Sequence, residues 1–287
     1  MSFSFRNAAR LPVVGVSALA GVATPFFDAA LAADAVEGDA IPLPVYEAPD
    51  PARFGGLRQQ LGEWDVMLGA GAMVEPKYEG SDEFEITPVP FISATFGDRL
   101  TIDPGGVTAD LYETGPLKFS ATLGYEGGRN EDDADELDGL GDIDFGVTVG
   151  GRASATFGPA EFYASVEKTI EGSEGLLGVA GIELTHAFTP SLLLGLGASA
   201  TYADDNHMEA YFGIDADQAR RSGYETFDAE AGFKRVDFTA SATVAFTENW
   251  FARGEADVGI LVGDAADSPI VKEEVQPSGM LLIGYRF

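Results

Sequence analysis

Residues 235–262 read RVDFTASATVAFTENWFARGEADVGILV, with apolar or small side chains on nearly every even position. Val236, Phe238, Ala240, Ala242, Val244 and Phe246 alternate with Arg235, Asp237, Thr239, Ser241 and Thr243. After a break at Thr247, Glu248 and Asn249 the alternation resumes, Trp250, Ala252, Ala256, Val258, Ile260 and Val262 lying opposite Arg253, Glu255 and Asp257. A period of two is the signature of a strand with one greasy face and one polar face. Strands in soluble sheets run to about 5–6 residues, whereas a tilted strand needs about 9–11 to cross a bilayer.

The same period recurs along the chain. Trp64, Val66, Leu68, Ala70, Ala72 and Val74 share a face, as do Phe119, Ala121, Leu123 and Tyr125 opposite Lys118, Ser120, Thr122 and Glu126. In residues 142–157, Ile143, Phe145, Val147, Val149, Ala153, Ala155 and Phe157 oppose Asp144, Thr148, Arg152, Ser154 and Thr156. Further strands are expected at 161–170, 177–188 and 192–202, and weaker ones at 85–96, 99–103, 107–112 and 279–287, about twelve in all. The connections sort by parity. Those at 97–98, 113–117, 158–160, 189–191 and 247–249 are short, while those at 75–84, 104–106, 127–141, 171–176, 203–233 and 263–278 are mostly long. A transmembrane barrel predicts that asymmetry, with short periplasmic turns and long extracellular loops. The fold expected is therefore all-β: a transmembrane antiparallel up-and-down β-barrel, closed because lipid cannot satisfy a free strand edge. Even positions of 235–262 then face lipid, odd positions face the lumen, and Trp250 joins an interfacial aromatic girdle.

Composition agrees and excludes several chemistries. Asp and Glu total 47 against 17 Lys and Arg, a formal charge of −30, which argues against nucleic acid as a partner. Cysteine is absent and His186 and His207 are the two histidines, so thiol chemistry is excluded and imidazole chemistry has few places to live. Neither histidine has a recognisable triad partner in the sequence, and no catalytic or cofactor-binding residue is assigned. Arg6 and Arg10, an apolar run over 11–23 and the Ala30-Leu31-Ala32 site predict a signal peptide over 1–32, cleaved between Ala32 and Ala33. Residues 33–61, carrying Pro42, Pro44, Pro49 and Pro51, read as a periplasmic tail or linker, and 62–287 as the barrel.

Residues 74–91 read VEPKYEGSDEFEITPVPF, 139–144 GLGDID, 199–214 SATYADDNHMEAYFGI and 263–271 GDAADSPIV, and the chain closes on GYRF. In this order these motifs resemble the MltA-interacting protein/OmpV family (MipA/OmpV) of outer-membrane proteins, over 62–287. The resemblance implies an outer-membrane barrel inserted by the barrel-assembly machinery, with Tyr285 and Phe287 forming the C-terminal signal which that machinery reads. It also implies a non-catalytic scaffold joining a lytic transglycosylase, a murein hydrolase, to a penicillin-binding protein that synthesises murein. Candidate contact turns are Gly97-Asp98 and Glu113-Thr114, with the tail. The competing expectation is a narrow porin-like channel for small solutes gated by 203–233.

Several loops invite a site. Pro76, Tyr78, Glu79, Gly80, Ser81 and Asp82 form either a shaped turn with Tyr78 as interfacial anchor or a cation-gripping turn using Glu79 and Asp82. Asp264, Ser268 and Pro269 belong to the matching motif near the C-terminus. The acidic run 131–144 reads as a solvated loop, able to meet lipopolysaccharide through divalent ions. Asp204, Asp205, His207 and Glu209 are weak metal candidates, since one histidine among scattered carboxylates lacks ligand spacing. DADQARR at 215–221 predicts a short helix capped by Asp215, in a loop folded over the barrel mouth.

Overall fold

The computed structural model describes residues 64–97 and 99–287. The predicted signal peptide, its Ala32/Ala33 cleavage site, the tail 33–61 and Asp98 lie outside the described residues.

Twelve antiparallel strands close into one barrel in which each pairs with its sequence neighbour and the first with the last. They are β1 Trp64–Pro76, β2 Phe84–Phe96, β3 Leu100–Asp103, β4 Gly106–Thr114, β5 Leu117–Glu126, β6 Gly146–Phe157, β7 Ala160–Ile170, β8 Leu176–Thr189, β9 Leu192–Ala203, β10 Gly232–Ala245, β11 Trp250–Leu261 and β12 Val275–Arg286. Most match the length a bilayer crossing demands. Gly71 marks where the seam closes most tightly. It pairs with Leu282, and a Cβ there would collide with the Leu281 carbonyl oxygen. Gly71→Val is expected to block closure, read as loss of the compact, heat-modifiable band on an unboiled gel; a normal band would show that the seam can spread.

The alternation sorts side chains as expected. Ile86 and Leu281 are 77% and 73% exposed on the outer face, with Ile92, Val149, Val166, Leu196, Phe238 and Ile283 also outside. That belt is flanked by aromatic rings at both ends. Trp64 meets Phe96, Phe157 meets Phe162, and Trp250, Tyr285 and Phe287 form a chain of edge contacts at the short-turn end. Tyr125 stacks on Phe145, and Tyr202 meets Phe233 at the long-loop end. An apolar band between two girdles is the outer face of a membrane barrel. Among the described residues no helix is long and apolar enough to span a bilayer.

Three boundaries differ from expectation. Glu113 and Thr114 are not turn residues: they pair with Lys118 and Leu117 inside the β4–β5 ladder, and the turn is Gly115-Pro116. Strand β6 begins at Gly146, because Ile143 bridges back to Arg129 and holds 127–145 as a folded loop. Asp144, expected in the lumen, is an exposed loop residue. Strands β10 and β12 start at Gly232 and Val275, so both walls rise higher than the alternation alone indicated.

Candidate functional site: the ionic lumen and its cap

The odd-numbered face of β10 and β11 builds the interior. Arg235, Asp237, Thr239, Ser241 and Thr243 line it, as do Arg253, Glu255 and Asp257, and register places Thr239 opposite Asp257 and Thr243 opposite Arg253. The cavity occupies about 2530 Å³. It runs from turn residues Gly97, Pro116, Pro190 and Asn249 at one end to Lys77, Asn130, Asp132 and Asp142 at the other. Ion pairs along and between neighbouring strands line its wall. Arg152 Nη2 lies 2.7 Å from Glu161 Oε1 and 3.8 Å from Glu183 Oε1, with its guanidinium 3.7 Å above the Tyr163 ring. Arg253 Nη2 bonds Glu255 at 2.6 Å, and Arg235 bonds Asp237 and Asp257 at 2.5 and 3.2 Å.

The long loops fold into a cap with its own core. Helix α1, Asp205–Phe212, starts at Asp204, whose carboxylate accepts from His207 N at 3.1 Å and Leu176 N at 2.8 Å. Helix α2, Ala216–Ser222, is the one expected from DADQARR: Asp215 caps it and Gln218 returns the bond, a capping box. Helix α3, Asp264–Asp267, follows Gly263. Two clusters of buried side chains lock these to neighbouring loops. One contains Tyr78, Ala134, Leu137, Leu140, Ile214 and Ile270; the other contains Ala203, Met208, Phe212, Ala229, Leu261 and Ala265. His207 and Tyr211 of α1 line the cavity, so the longest loop lies over the barrel mouth.

Most candidate loop residues turn out to be cap hardware. Tyr78 is no membrane anchor. It is 6% exposed and donates its hydroxyl to the Ile270 carbonyl at 2.9 Å, because the final long loop covers it. Gly80 N donates to Gln276 Oε1 and Gly80 O accepts from Lys272 N, while Ser81 Oγ accepts from Glu83 N; Pro76 ends β1. Ser268 Oγ donates to Phe212 O, Pro269 O accepts from Lys272 Nζ, and Asp264 accepts from Glu230 N. Asp82 is exposed. In the acidic run, Glu131 accepts from Gly139 N and Gly141 N and Asp142 from Glu131 N, so these carboxylates shape a loop whose Leu137 and Leu140 are buried.

Asp204, Asp205, His207 and Glu209 do not converge. Asp204 caps α1, Asp205 accepts from Ala231 N, and Glu209 accepts from Ala229 N. His207 instead enters a buried chain of charges. Its Nε2 lies 3.1 Å from Lys234 Nζ, and Lys234 bonds Glu79 Oε2 at 2.8 Å. On its other side, Nδ1 lies 3.4 Å from Glu126 Oε1 without hydrogen-bond alignment, and Tyr211 stacks on the ring. An ammonium can only donate, so Nε2 accepts and the ring proton sits on Nδ1, facing the Glu126 carboxylate. Glu79 thus does hold a cation, the side chain of Lys234.

Sequence reading missed Lys234 for a definite reason. The β9–β10 register slips between Phe233 and Arg235, a bulge that turns both Lys234 and Arg235 inward. The visible clue is the adjacent Lys-Arg pair where the alternation begins. His186, by contrast, sits on the exposed outer face of β8.

Burial opposes charge on Glu79, yet Lys234 and Arg235 outweigh it and hold the carboxyl down at about 2. Burial pushes the His207 imidazole below its usual value; Lys234 pushes the same way, and Glu126 and Glu79 pull back. A depressed histidine favours the closed cap above its unfolded pKa of about 6.5, and that stability is lost as pH falls through the lower folded value. Glu79 keeps its charge across that window. Hydrogen exchange of 204–213, corrected for intrinsic rates, is therefore expected to accelerate below about pH 6.5. His207→Asn is expected to flatten this dependence; an equally steep profile in the variant would remove His207 as its source.

The family profile described as MltA-interacting protein MipA matches residues 68–287. Comparison with curated proteins returns no match. Among solved structures, the N-terminal barrel domain of Pseudomonas aeruginosa OprF shares 14% identity, covering 60% of this chain and 96% of its own, with TM-score 0.26. Salmonella typhi OmpF, solved with daunomycin, shares 11%, covering 78% and 97%, with TM-score 0.37. For OprD of P. aeruginosa the values are 12%, 78% and 59%, and 0.33, so this chain spans less than two thirds of that relative. With its profile match running from the first strand to the final residue, the chain belongs to the MltA-interacting protein MipA family.

Proposed function

We propose that this protein is a narrow, porin-like conduit for small solutes in the bacterial outer membrane, with short turns toward the periplasm and the cap, closed over most of the mouth, facing outward. The observation that carries this reading is the continuous cavity, with charged residues in its wall, lined by turn residues at one end and loop residues at the other. A barrel that served only as an anchor has no need of an open interior, and small barrels are commonly filled by side chains. Small cations are the favoured cargo. Glu75, Glu85, Asp103 and Glu167 line the cavity with no ion-pair partner among the described residues, and Asp132, Asp133 and Asp142 stand at its outer rim. Rings of carboxylates concentrate cations and select for them. In planar bilayers under a KCl gradient, the mature protein is expected to give small, discrete conductance steps and a cation-selective reversal potential. A silent protein would sink the conduit; an anion-selective one would sink the cargo.

The family match supports a second role, docking of periplasmic murein enzymes. The short-turn end and the segment 33–61 are the surfaces such partners would meet, and conduction above does not preclude a contact below. Capture of a lytic transglycosylase or a penicillin-binding protein from periplasmic extract, with a bait lacking 33–56 in parallel, tests it. Recovery of neither from either bait would leave conduction alone.

A further inference from the structure

The barrel wall is uneven. Strand β3 has only 4 residues, and it pairs with β2 solely at Ala94, Thr95 and Phe96. Strand β4 reaches β5 only up to Leu123. Among the described residues, positions 84–93 of β2 therefore have a ladder partner on the β1 side and none on the other. At about 3.3 Å per residue, the open edge runs on the order of 30 Å along the strand. That stretch is a notch in the ladder between β2 and the β3–β4 hairpin.

Two features indicate what the notch admits. Pro88 and Pro90 lie on the open edge, and proline offers no N–H. Prolines on an edge strand oppose the addition of another strand, so pairing with a second copy or with a β-segment of this chain is disfavoured. The inner face beside the notch is also unlike the ionic wall. Leu282 and Met280 of β12, Met67 and Met73 of β1, and Phe91 of β2 line the cavity, and register joins Met280 to Met73 and Met73 to Thr87. At the long-loop end of this apolar strip, Glu75 and Thr87 are 7% and 6% exposed and neighbour each other, but Glu75 Oε1 and Thr87 Oγ1 are not aligned as a hydrogen bond. Buried polar groups are normally satisfied, so this pair is suited to a donor.

We infer that the notch and the β12–β1–β2 strip form a lateral site for a single-chain amphiphile, its alkyl tail on Met73, Phe91 and Met280 and its head donating hydrogen bonds to Glu75 and Thr87. The head is a polyol or an amine rather than a carboxylate, which Glu75 and Glu85 would repel. This site goes beyond axial conduction and does not depend on it.

The test uses the folded mature protein in lipid nanodiscs and a monoacylglycerol carrying a photoactivatable diazirine in its chain. Expected are crosslinks on Met73, Phe91 or Met280, removed by excess unlabelled monoacylglycerol and poorly by palmitate. Phe91→Asp is expected to abolish them in a barrel that remains heat-modifiable, and Glu75→Gln to weaken competition about tenfold, the scale of one hydrogen bond to a charged group. Labelling confined to Ile86, Ile92 and Leu281 would mean bulk lipid contact and overturn the site. So would inward labelling that appears only when 33–61 is deleted, which would give the notch to that segment, or equal competition by palmitate.

Discussion

Lys234→Met is expected to unlatch the cap while leaving the barrel closed. Lys234 is 7% exposed and joins Glu79 of the first long loop to His207 of α1. Methionine keeps the length of the stem but removes the charge, leaving Glu79 with only the longer 3.7 Å contact to Arg235. Breaking a buried ion pair by removing one partner costs about 3–5 kcal/mol. The lower end applies, because Arg235 still faces Glu79. At roughly 1.4 kcal/mol per factor of ten, protection of amides in 204–213 should fall about a hundredfold or more. Protection within β9 and β10 should persist, since the strand ladders are untouched. Glu79→Gln in the same chain is expected to restore much of the loss, because the stranded carboxylate is gone and Arg235 retains Asp237 and Asp257. If Lys234→Met exchanges like the parent, the charge chain does not hold the cap and the two apolar clusters do so alone.

The parts of this molecule that were legible in its sequence are those governed by a single period. Alternation over 235–262 fixes which side chains face lipid, and the parity of loop lengths fixes strand number and hence closure. Asp215 with Gln218 announces α2 because a capping box is local. Lys234 was hidden because a one-residue slip inverts the parity on which inside and outside are read. Tyr78 misled for a different reason: a tyrosine beside a strand end fits an interfacial girdle equally well, and only the distant Ile270 carbonyl decides otherwise. The acidic run reads as solvated and its Asp132, Asp133, Asp135 and Asp138 are exposed, while Leu137 and Leu140, few among them, determine where the loop sits. The notch at β2 follows from the shortness of β3, and the alternation there is too brief to declare its partners.

Replacing 206–230 with a short Gly-Ser linker is expected to raise single-channel conductance several-fold. The deletion removes α1 and α2, taking His207 and Tyr211 out of the mouth, and spares the strands from Trp64 to Arg286. The clusters built on Met208, Phe212 and Ile214 lose their centres, so the loops at 77–83 and 262–274 also loosen. Resistance then passes to the ion-paired layer in mid-lumen, where Arg152, Glu161 and Glu183 meet on one side and Arg253 and Glu255 on another. That layer predicts how far the increase goes: the shortened barrel should still discriminate by charge, because its mid-lumen groups and Glu167 remain. Adding Arg152→Ala is expected to increase both conductance and cation preference, since it removes a positive charge while leaving Glu161 and Glu183 in place. An unchanged conductance on deletion would locate the narrowest point below the cap. An insulating deletion variant, folded and closed by heat-modifiability, would remove conduction as the function and leave docking as the reading the family match supports.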